Sequence, residues 1–336
     1  MESTGALPTL ADVGEFGLIA RFRAAFTTTS DVVVGPGDDA AVVLASDGRV
    51  VATTDVLVEG RHFRLDWSTA YDVGRKAAAQ NFSDIAAMGA RPTALLVGLV
   101  APATLPVDVA DALAEGLAAE CAIAGATVVG GDVARGDQLV LAVTALGDLA
   151  GRAPVRRDGA RPGDHVVVVG TLGGSAAGLA AYLVGATGGD VEPLLAAHRC
   201  PAPPYAAGPA LADAGATSLV DVSDGFAADL GHVLAASDVG AVVDYLALPA
   251  HPALAGRWAQ AQPPAVMAGW VTSGGEDHAL VATVPPDRVG DAIGAIRALG
   301  LTCTDVGEIT AETLLRWVGL PDGSAEPGGF DHFGLA

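Results

Sequence analysis

Lysine is almost absent from this chain. Of its 336 residues, 18 are lysine or arginine, and the only lysine is Lys76. A Walker A loop requires Gly-Lys-Ser/Thr, but Lys76 stands between Arg75 and Ala77, so the chain contains no P-loop. The protein-kinase pattern requires a strand lysine downstream of a glycine-rich loop, and Lys76 lacks that context. Any nucleotide must therefore be bound by a different arrangement.

Cysteine is also scarce. The three cysteines, Cys121, Cys200 and Cys303, lie far apart in the chain and form no Cys-x-x-Cys pair. Their spacing excludes the common zinc-binding and dithiol redox motifs. A small, odd number of cysteines is typical of proteins from a reducing compartment, so we expect a cytoplasmic location.

Positive charge is in short supply overall. Charged residues make up 17% of the chain, and the formal net charge is −21. This balance argues against a nucleic-acid partner, whose phosphates need lysine and arginine, and against binding to an anionic membrane surface. It is compatible with binding divalent cations and, through them, a phosphorylated ligand. Acidity that only keeps the protein in solution is the alternative interpretation.

Signals for secretion or membrane insertion are missing as well. The first 16 residues lack a basic region followed by an apolar run, so we expect no signal peptide. The uncharged stretch 166–189 is long enough to cross a bilayer. It divides into a valine-rich strand, a glycine-rich turn and an alanine-rich helix, and we therefore expect no membrane span.

The chain does contain several acidic residues in glycine-rich turns. The segment 35–42, Gly-Pro-Gly-Asp-Asp-Ala-Ala-Val, places Asp38 and Asp39 in a turn between two valine-rich runs. Adjacent carboxylates repel each other unless a cation lies between them, so the turn is a candidate site for a hard metal ion. A hairpin turn with solvated carboxylates is the alternative. Within the pair, Asp39 is the better candidate for metal binding, and Asp38 for orienting the turn.

Similar carboxylates recur along the chain. They stand at predicted strand ends, turns or helix entries beside small residues: Asp38, Asp39, Asp55, Asp84, Asp132, Asp221 and Asp224. Each could simply cap a turn, and Asp224 or Ser223 could cap the helix that follows. Together they could hold several magnesium ions around a triphosphate, because magnesium is usually bound by one or two carboxylates plus substrate phosphates. The glycines before Asp132 would also let the backbone approach a phosphate closely.

Hydrophobic periodicity predicts a mixed fold of helices and strands. The main predicted helices are 12–26, 69–89, 106–124, 174–184, 206–214, 225–237 and 287–299, and the main predicted strands are 50–58, 93–100, 126–132, 138–147, 165–170, 218–222, 240–246, 279–284 and 304–309. The elements do not alternate regularly, which favours α+β over a doubly wound α/β sheet. The glycine- and proline-rich segment 148–164 predicts a boundary between two domains, 1–150 and 151–336.

Six motifs and the C-terminal sequence are more specific in combination than any one of them. They are GDDAAV at 37–42, TTDVLVEGRHF at 53–63, NFSDIAAMGA at 81–90, GGDVARG at 130–136, DVSDGFAADLGH at 221–232, SGGEDHAL at 273–280 and GFDHFG at 329–334. In this order, over nearly the whole chain, they resemble the thiamine-monophosphate kinase family of the aminoimidazole ribonucleotide synthetase superfamily. The resemblance implies that domain 1–150 binds ATP and metal and forms a homodimer through its sheet. It also implies that domain 151–336 completes the active site.

The resemblance assigns roles to residues that match its motifs. The implied magnesium ligands are Asp39, Thr53, Thr54, Asp55, Asp84, Asp132, Asp221 and Asp224. The implied contacts to ATP are Gly131, Asp132, Arg156 and Ser223, and those to thiamine phosphate are His62, Glu276 and Phe330. Asp132 and Asp224 are the implied catalytic residues. One departure is His278, which stands where the family usually has an aromatic residue.

The implied reaction transfers the γ-phosphoryl group of ATP to thiamine phosphate. The attacking oxygen belongs to a phosphate that is already ionised near neutral pH, so no general base is needed. This agrees with the absence of a convincing Ser-His-Asp or Cys-His set in the sequence. Catalysis would then consist of positioning and electrostatic stabilisation. Two alternatives are another ATP-dependent synthetase of the same superfamily and a non-catalytic nucleotide-binding regulator.

Overall fold

The computed structural model describes residues 7–36, 40–325 and 327–329. The chain forms two compact units. Unit 1 comprises Met1–Asn81 and Pro92–Asp148, and unit 2 comprises Phe82–Arg91 and Leu149–Ala336. Each unit has its own sheet, so the mixed α and β architecture predicted from the sequence is confirmed.

Unit 1 is built around a four-stranded sheet. Its elements, in chain order, are α1 (Leu10–Ala25), β1 (Val32–Val34), β2 (Val42–Val43), β3 (Val51–Val58), α2 (Ala70–Ala87), β4 (Arg91–Ala101), α3 (Val107–Ala124), β5 (Thr127–Arg135) and β6 (Val140–Asp148). The last part of α2, from Phe82, and the first residue of β4, Arg91, belong to unit 2. The order in the sheet is β3-β6-β4-β5, while β1 and β2 form a separate hairpin. β3 therefore lies at one edge of the sheet and β5 at the other.

The two faces of the unit 1 sheet differ in burial. On one face Leu57, Leu95 and Val143 are fully buried, whereas Val56 and Leu96, one position along their strands, are 47% and 37% exposed. Successive strand residues point to opposite faces, so the sheet has one core face and one open apolar face. On the helical side, α2 and α3 pack so closely that a Cβ on Gly74 would lie 2.1 Å from the Leu113 carbonyl oxygen.

Unit 2 contains a six-stranded sheet between two helical layers. Its elements are β7 (His165–Val169), α4 (Gly174–Leu183), α5 (Glu192–Arg199), α6 (Ala207–Asp213), β8 (Ser218–Asp221), α7 (Phe226–Ser237), β9 (Gly240–Asp244), α8 (Arg257–Gln260), α9 (Pro264–Ser273), β10 (Leu280–Val284), α10 (Val289–Ala298), β11 (Cys303–Thr310) and β12 (Leu315–Val318). The strand order is β12-β9-β11-β7-β10-β8. Neighbours are antiparallel except β12 and β9, which are parallel.

The valine run of β7 explains why this sheet needs two helical layers. All four residues from Val166 to Val169 are 0% exposed. Val166 and Val168 belong to a core with Phe226 of α7, whereas Val167 and Val169 belong to a core with Ile296 of α10. A continuous apolar strand of this kind is typical of a sheet covered on both faces.

Most predicted elements match the observed ones, although helix α9 was not predicted. The helix predicted at 69–89 is α2, and its terminal Gly89 has the left-handed φ of 73° expected beyond a helix end. The first residue of α9, Pro264, lies at the end of the proline-rich sequence 249–265, which favours irregular structure. Proline is tolerated in the first turn of a helix, where it lies here. Within the described part of the chain, no helix has the length and hydropathy needed to cross a bilayer.

Candidate active site

The first predicted group lies on β3, at one edge of the unit 1 sheet. Thr54 faces the open side, where its Oγ1 donates to the Val143 carbonyl oxygen (3.0 Å) and lies 3.1 Å from Thr144 Oγ1. Thr53 and Asp55 point to the other face, since side chains alternate along the strand. The Asp55 backbone N–H donates to Asn81 Oδ1 (3.1 Å), and Asn81 is fully buried on α2. Asn81 thus holds the middle of β3, and the sequence analysis quoted it within a motif without giving it a role.

Gly131 and Asp132 lie on β5, at the opposite edge. Asp132 pairs with Gly98 of β4, and a Cβ on Gly98 would lie 3.6 Å from the Cβ of Ala142 on the open face. Asp132 is therefore exposed on the open face of the sheet. At Gly131 a Cβ would lie 1.9 Å from the Val97 carbonyl oxygen, so only glycine fits. The close approach of β4 and β5 therefore requires glycine at this position, whether or not a phosphate also approaches it.

The sheet keeps Asp55 and Asp132 apart within one chain. They occupy the two edge strands of the order β3-β6-β4-β5. Three strand spacings separate these edges, about 14 Å along the sheet. The two carboxylates also point to opposite faces. A single copy of unit 1 therefore does not bring these two predicted ligands to one ion.

His62 and Lys76 are connected in unit 1. His62 Nδ1 accepts the Val58 backbone N–H (3.0 Å), which leaves Nε2 as the protonated ring nitrogen of the neutral side chain. The His62 carbonyl oxygen accepts a hydrogen bond from Lys76 Nζ (3.1 Å), and Lys76 is only 2% exposed. The single lysine of the chain thus holds the turn that carries His62.

In unit 2, β8 ends in the turn Asp221-Val222-Ser223-Asp224-Gly225. The expectation that Asp224 or Ser223 caps the following helix is wrong, because the N-cap of α7 is Gly225. Asp229, inside the helix, reaches back and accepts the backbone N–H groups of Asp224 (3.0 Å) and Gly225 (3.1 Å). Burial and the nearby charges of Asp221 and Asp224 raise the pKa of Asp229 to about 7, although the two N–H donors oppose the shift. A carboxylate in the first helical turn is the sequence signal that could have identified Asp229.

The loop Gly274–His278 lies against this turn. Glu276 N–H donates to the Ser223 carbonyl oxygen and His278 N–H to that of Val222, both at 2.8 Å. Glu276 and His278 both adopt left-handed φ angles, 62° and 50°, which non-glycine residues rarely do. Such backbone outliers concentrate at functional sites. The two backbone bonds thus hold Glu276 beside the acidic turn.

His278 is paired with Asp221. Its Nδ1 lies 3.1 Å from Asp221 Oδ2, and both side chains are buried. Burial alone would lower the pKa of His278, but the bond to Asp221 and the charges of Asp221, Glu276 and Asp84 raise it. These interactions place Asp84, at the start of unit 2, in the same acidic environment. The histidine that departs from the family pattern therefore has a defined electrostatic partner.

The side chain of Asp277 reaches into the glycine-rich turn at 170–174, which precedes α4. Its carboxylate accepts the N–H groups of Gly173 (2.6 Å) and Ser175 (3.0 Å). Burial raises the pKa of Asp277 to about 7, against the effect of these donors. Because a side chain of the protein takes these backbone donors, they are not available to a phosphate. The turn at 170–174 is therefore structural.

Three predicted residues need separate mention. Arg156 is exposed, and its Nη2 pairs with Asp158 Oδ2 at 2.6 Å. Asp39, with its neighbour Asp38, and Phe330 lie outside the described residues. The chain just before Phe330 is nevertheless anchored at the site: Gly328 N–H donates to Ser273 Oγ (3.1 Å), and a Cβ on Gly329 would lie 3.0 Å from the Asp224 carbonyl oxygen.

The donor set fits magnesium in its chemistry. The predicted ligands supply only carboxylate and hydroxyl oxygens, which this ion prefers. Beside Asp84, the hydroxyl oxygen of the fully buried Ser83 has no hydrogen-bond partner among the described residues. Over residues 7–36, 40–325 and 327–329, no three His, Cys, Asp or Glu side chains are grouped closely enough to hold a metal ion by themselves. Substrate phosphates or a second chain would have to complete the coordination.

Comparison with known proteins identifies the family. Residues 37–149 match the profile of AIR synthase related protein, N-terminal domain, and residues 161–317 match the corresponding C-terminal domain. Thiamine-monophosphate kinase of Mycobacterium tuberculosis (strain CDC 1551 / Oshkosh) is 51% identical over 277 residues, 82% of each chain.

Two solved structures share the fold over almost their whole length. The crystal structure of thiamine-monophosphate kinase from Stenotrophomonas maltophilia K279a has a TM-score of 0.81 and 35% identity, covering 94% of this chain and 98% of its own. AaThiL complexed with AMPPCP and TMP has a TM-score of 0.76 and 30% identity, covering 98% of this chain and 100% of its own. With these relatives and the motif-bearing loops described above, the chain belongs to the thiamine-monophosphate kinase family, within the AIR synthase related proteins.

Proposed function

We propose that this protein transfers the γ-phosphoryl group of ATP directly to thiamine phosphate, forming thiamine diphosphate and ADP. The observation that carries the proposal is the alignment of 98% of this chain with a relative complexed with AMPPCP and TMP. The site supports it chemically, because the described residues present carboxylates suited to the cations that accompany anionic phosphate substrates. The acceptor is itself an ionised phosphate, so the reaction requires no general base from the chain.

The roles proposed for individual residues follow the elements that carry them. Asp55, Asp84, Asp221 and Asp224, with Asp39, Asp132 and the hydroxyls of Thr53 and Thr54, would hold magnesium. When bound, magnesium supplies positive charge between two anionic substrates. Gly131, Asp132, Arg156 and Ser223 would contact ATP, and His62, Glu276 and Phe330 would contact thiamine phosphate. Asp132 and Asp224 are the proposed catalytic residues. The three free cysteines support a cytoplasmic location.

A homodimer formed through unit 1 is part of the proposal. The open face of the sheet exposes apolar side chains, including Val56 and Leu96, and such a face is typical of an interface. Both edge strands, β3 and β5, also carry proposed ligands. In a two-fold dimer the β3 edge of one copy could meet the β5 edge of the other. This arrangement would place the strand that carries Asp55 in one chain beside the strand that carries Asp132 in its partner, two strands that the sheet of one chain keeps apart.

The direct test measures ADP release from ATP and magnesium, with and without thiamine phosphate. Release that depends on thiamine phosphate, with equimolar thiamine diphosphate, supports the proposal. Release that requires a different acceptor would favour another synthetase of the superfamily. Nucleotide binding without any release would favour a regulator.

A further inference from the structure

The position of Glu276 is set by more than its own backbone. Its carboxylate oxygen Oε2 lies 3.4 Å from Nδ1 of His198 on α5. His198 is 8% exposed, and no inspection of the motifs would have singled it out. His198 stands 78 positions before Glu276 and belongs to none of the seven motifs quoted above.

The hydrogen-bonding chemistry fixes which group donates. An ionised carboxylate can only accept, so Nδ1 of His198 must carry the hydrogen that faces Glu276. The same Nδ1 lies 3.1 Å from Ser175 Oγ, at the first turn of α4, so the one Nδ1 hydrogen is shared between the hydroxyl and the carboxylate. His198 is thus held between a serine of α4 and the carboxylate of the loop.

Both neighbours of His198 are rigidly placed. Asp277 ties the loop to the start of α4 through the N–H groups of Gly173 and Ser175. Helices α4 and α5 are in close contact, since a Cβ on Gly178 would lie 2.1 Å from the Leu194 carbonyl oxygen and 2.9 Å from the His198 Cβ. The backbone that carries His198 is therefore held against α4, to whose start Asp277 also ties the loop that carries Glu276.

We propose that His198 is a positioning residue, whose Nδ1–H holds one carboxylate oxygen of Glu276 so that the other faces the thiamine group of the substrate. The inference rests on the proposed function, and it deepens the role of Glu276. Thiamine phosphate carries a cationic thiazolium ring and an aminopyrimidine, and a carboxylate is complementary to either. His198 itself would not touch the substrate. The separation of 3.4 Å keeps the Glu276 carboxylate within reach of Nδ1–H.

The test compares variants that keep or lose a donor at the Nδ1 position. The amide of His198→Asn places an N–H where Nδ1 is, the amide of His198→Gln places it nearer Nε2, and His198→Leu has none. We expect His198→Leu and His198→Gln to raise the KM for thiamine phosphate by roughly tenfold, the loss of one hydrogen bond to a charged group. His198→Asn should stay near the wild-type KM. The KM for ATP and kcat should change by less than about twofold in all three.

Two controls separate positioning from packing. His251→Asn changes another partly buried histidine beside Gly174, whose Nδ1 accepts the Ala253 N–H, and it should leave every constant unchanged. In a Glu276→Gln background, His198→Leu should add no further change. Wild-type KM in His198→Leu, equal effects of Asn and Leu, or additive effects with Glu276→Gln would each overturn the inference. An inactive wild-type protein would instead refute the proposed function, and if His198→Leu does not fold, the Asn and Gln pair decides.

Discussion

Complementation between two inactive variants tests whether the active site is shared between chains. Asp55 and Asp132 lie on opposite edge strands of the unit 1 sheet, about 14 Å apart along it and on opposite faces. Oxygens bound to one magnesium ion lie within roughly 4 Å of each other, because each Mg–O distance is about 2.1 Å. Side-chain motion within one sheet does not close that gap. Two chains that meet edge to edge would.

The experiment co-expresses Asp55→Asn and Asp132→Asn chains with different affinity tags and isolates the mixed dimer. Each homodimer should be inactive. In the mixed dimer, one site combines the two mutated residues, while the other combines the intact Asp55 of one chain with the intact Asp132 of its partner. Two-fold symmetry therefore predicts recovery of about half the wild-type activity.

The assay is ADP release with thiamine phosphate, with the Asp55→Asn/Asp132→Asn double-variant homodimer as the control. It should show no recovery after mixing with itself. A mixed dimer as inactive as its parents would refute the shared site and would require both carboxylates to act within one chain. A wild-type protein that remains monomeric at assay concentrations would refute it as well.

Three further outcomes are expected. Asp132→Asn should reduce turnover at least about a hundredfold while the unfolding temperature stays near wild type, because Asp132 is exposed on the sheet; wild-type turnover would refute its role. Val56→Glu should place a charge on the open sheet face and give a monomer by light scattering. The control Val266→Glu, at an exposed position of α9, should remain a dimer. A dimer in both variants would contradict an interface on the open face. Asp277 has a pKa of about 7 in the folded state and therefore binds a proton more tightly there than in the unfolded chain. The free energy of unfolding should fall as pH rises from about 4 to 7, by up to about 1.4 kcal/mol per pH unit. Asp277→Asn should show a shallower decline with pH, and equal declines in variant and wild type would contradict the raised pKa.

Much of the fold was determined locally and could be predicted. The valine run at 166–169 predicted a strand at 165–170, and β7 confirms it. Glycine at 89 ended α2 for the backbone reason expected. Such features depend on residue type and spacing alone. The helix α9 escaped prediction because a proline at its start has the same appearance as a proline in a loop.

The candidate site was only half predictable. Motif residues such as Asp221 and Glu276 could be predicted, since each stands in an acidic turn beside small residues. The residues that hold them in place could not be predicted in this way. Asp229 acts on a turn five positions away, and His198 reaches Glu276 only because α4 and α5 pack at a glycine.

The sequence by itself determined the element types, the family and the residues that carry the chemistry, because periodicity and motifs are properties of short segments. The tertiary structure decided which of those residues meet. Strand order alone separates Asp55 from Asp132 by the width of a sheet, although both stand in motifs of similar appearance. It also gave His278, which departs from the family pattern, a buried carboxylate partner in Asp221. Distances between segments that are remote in the chain are set by packing, and packing depends on several segments at once.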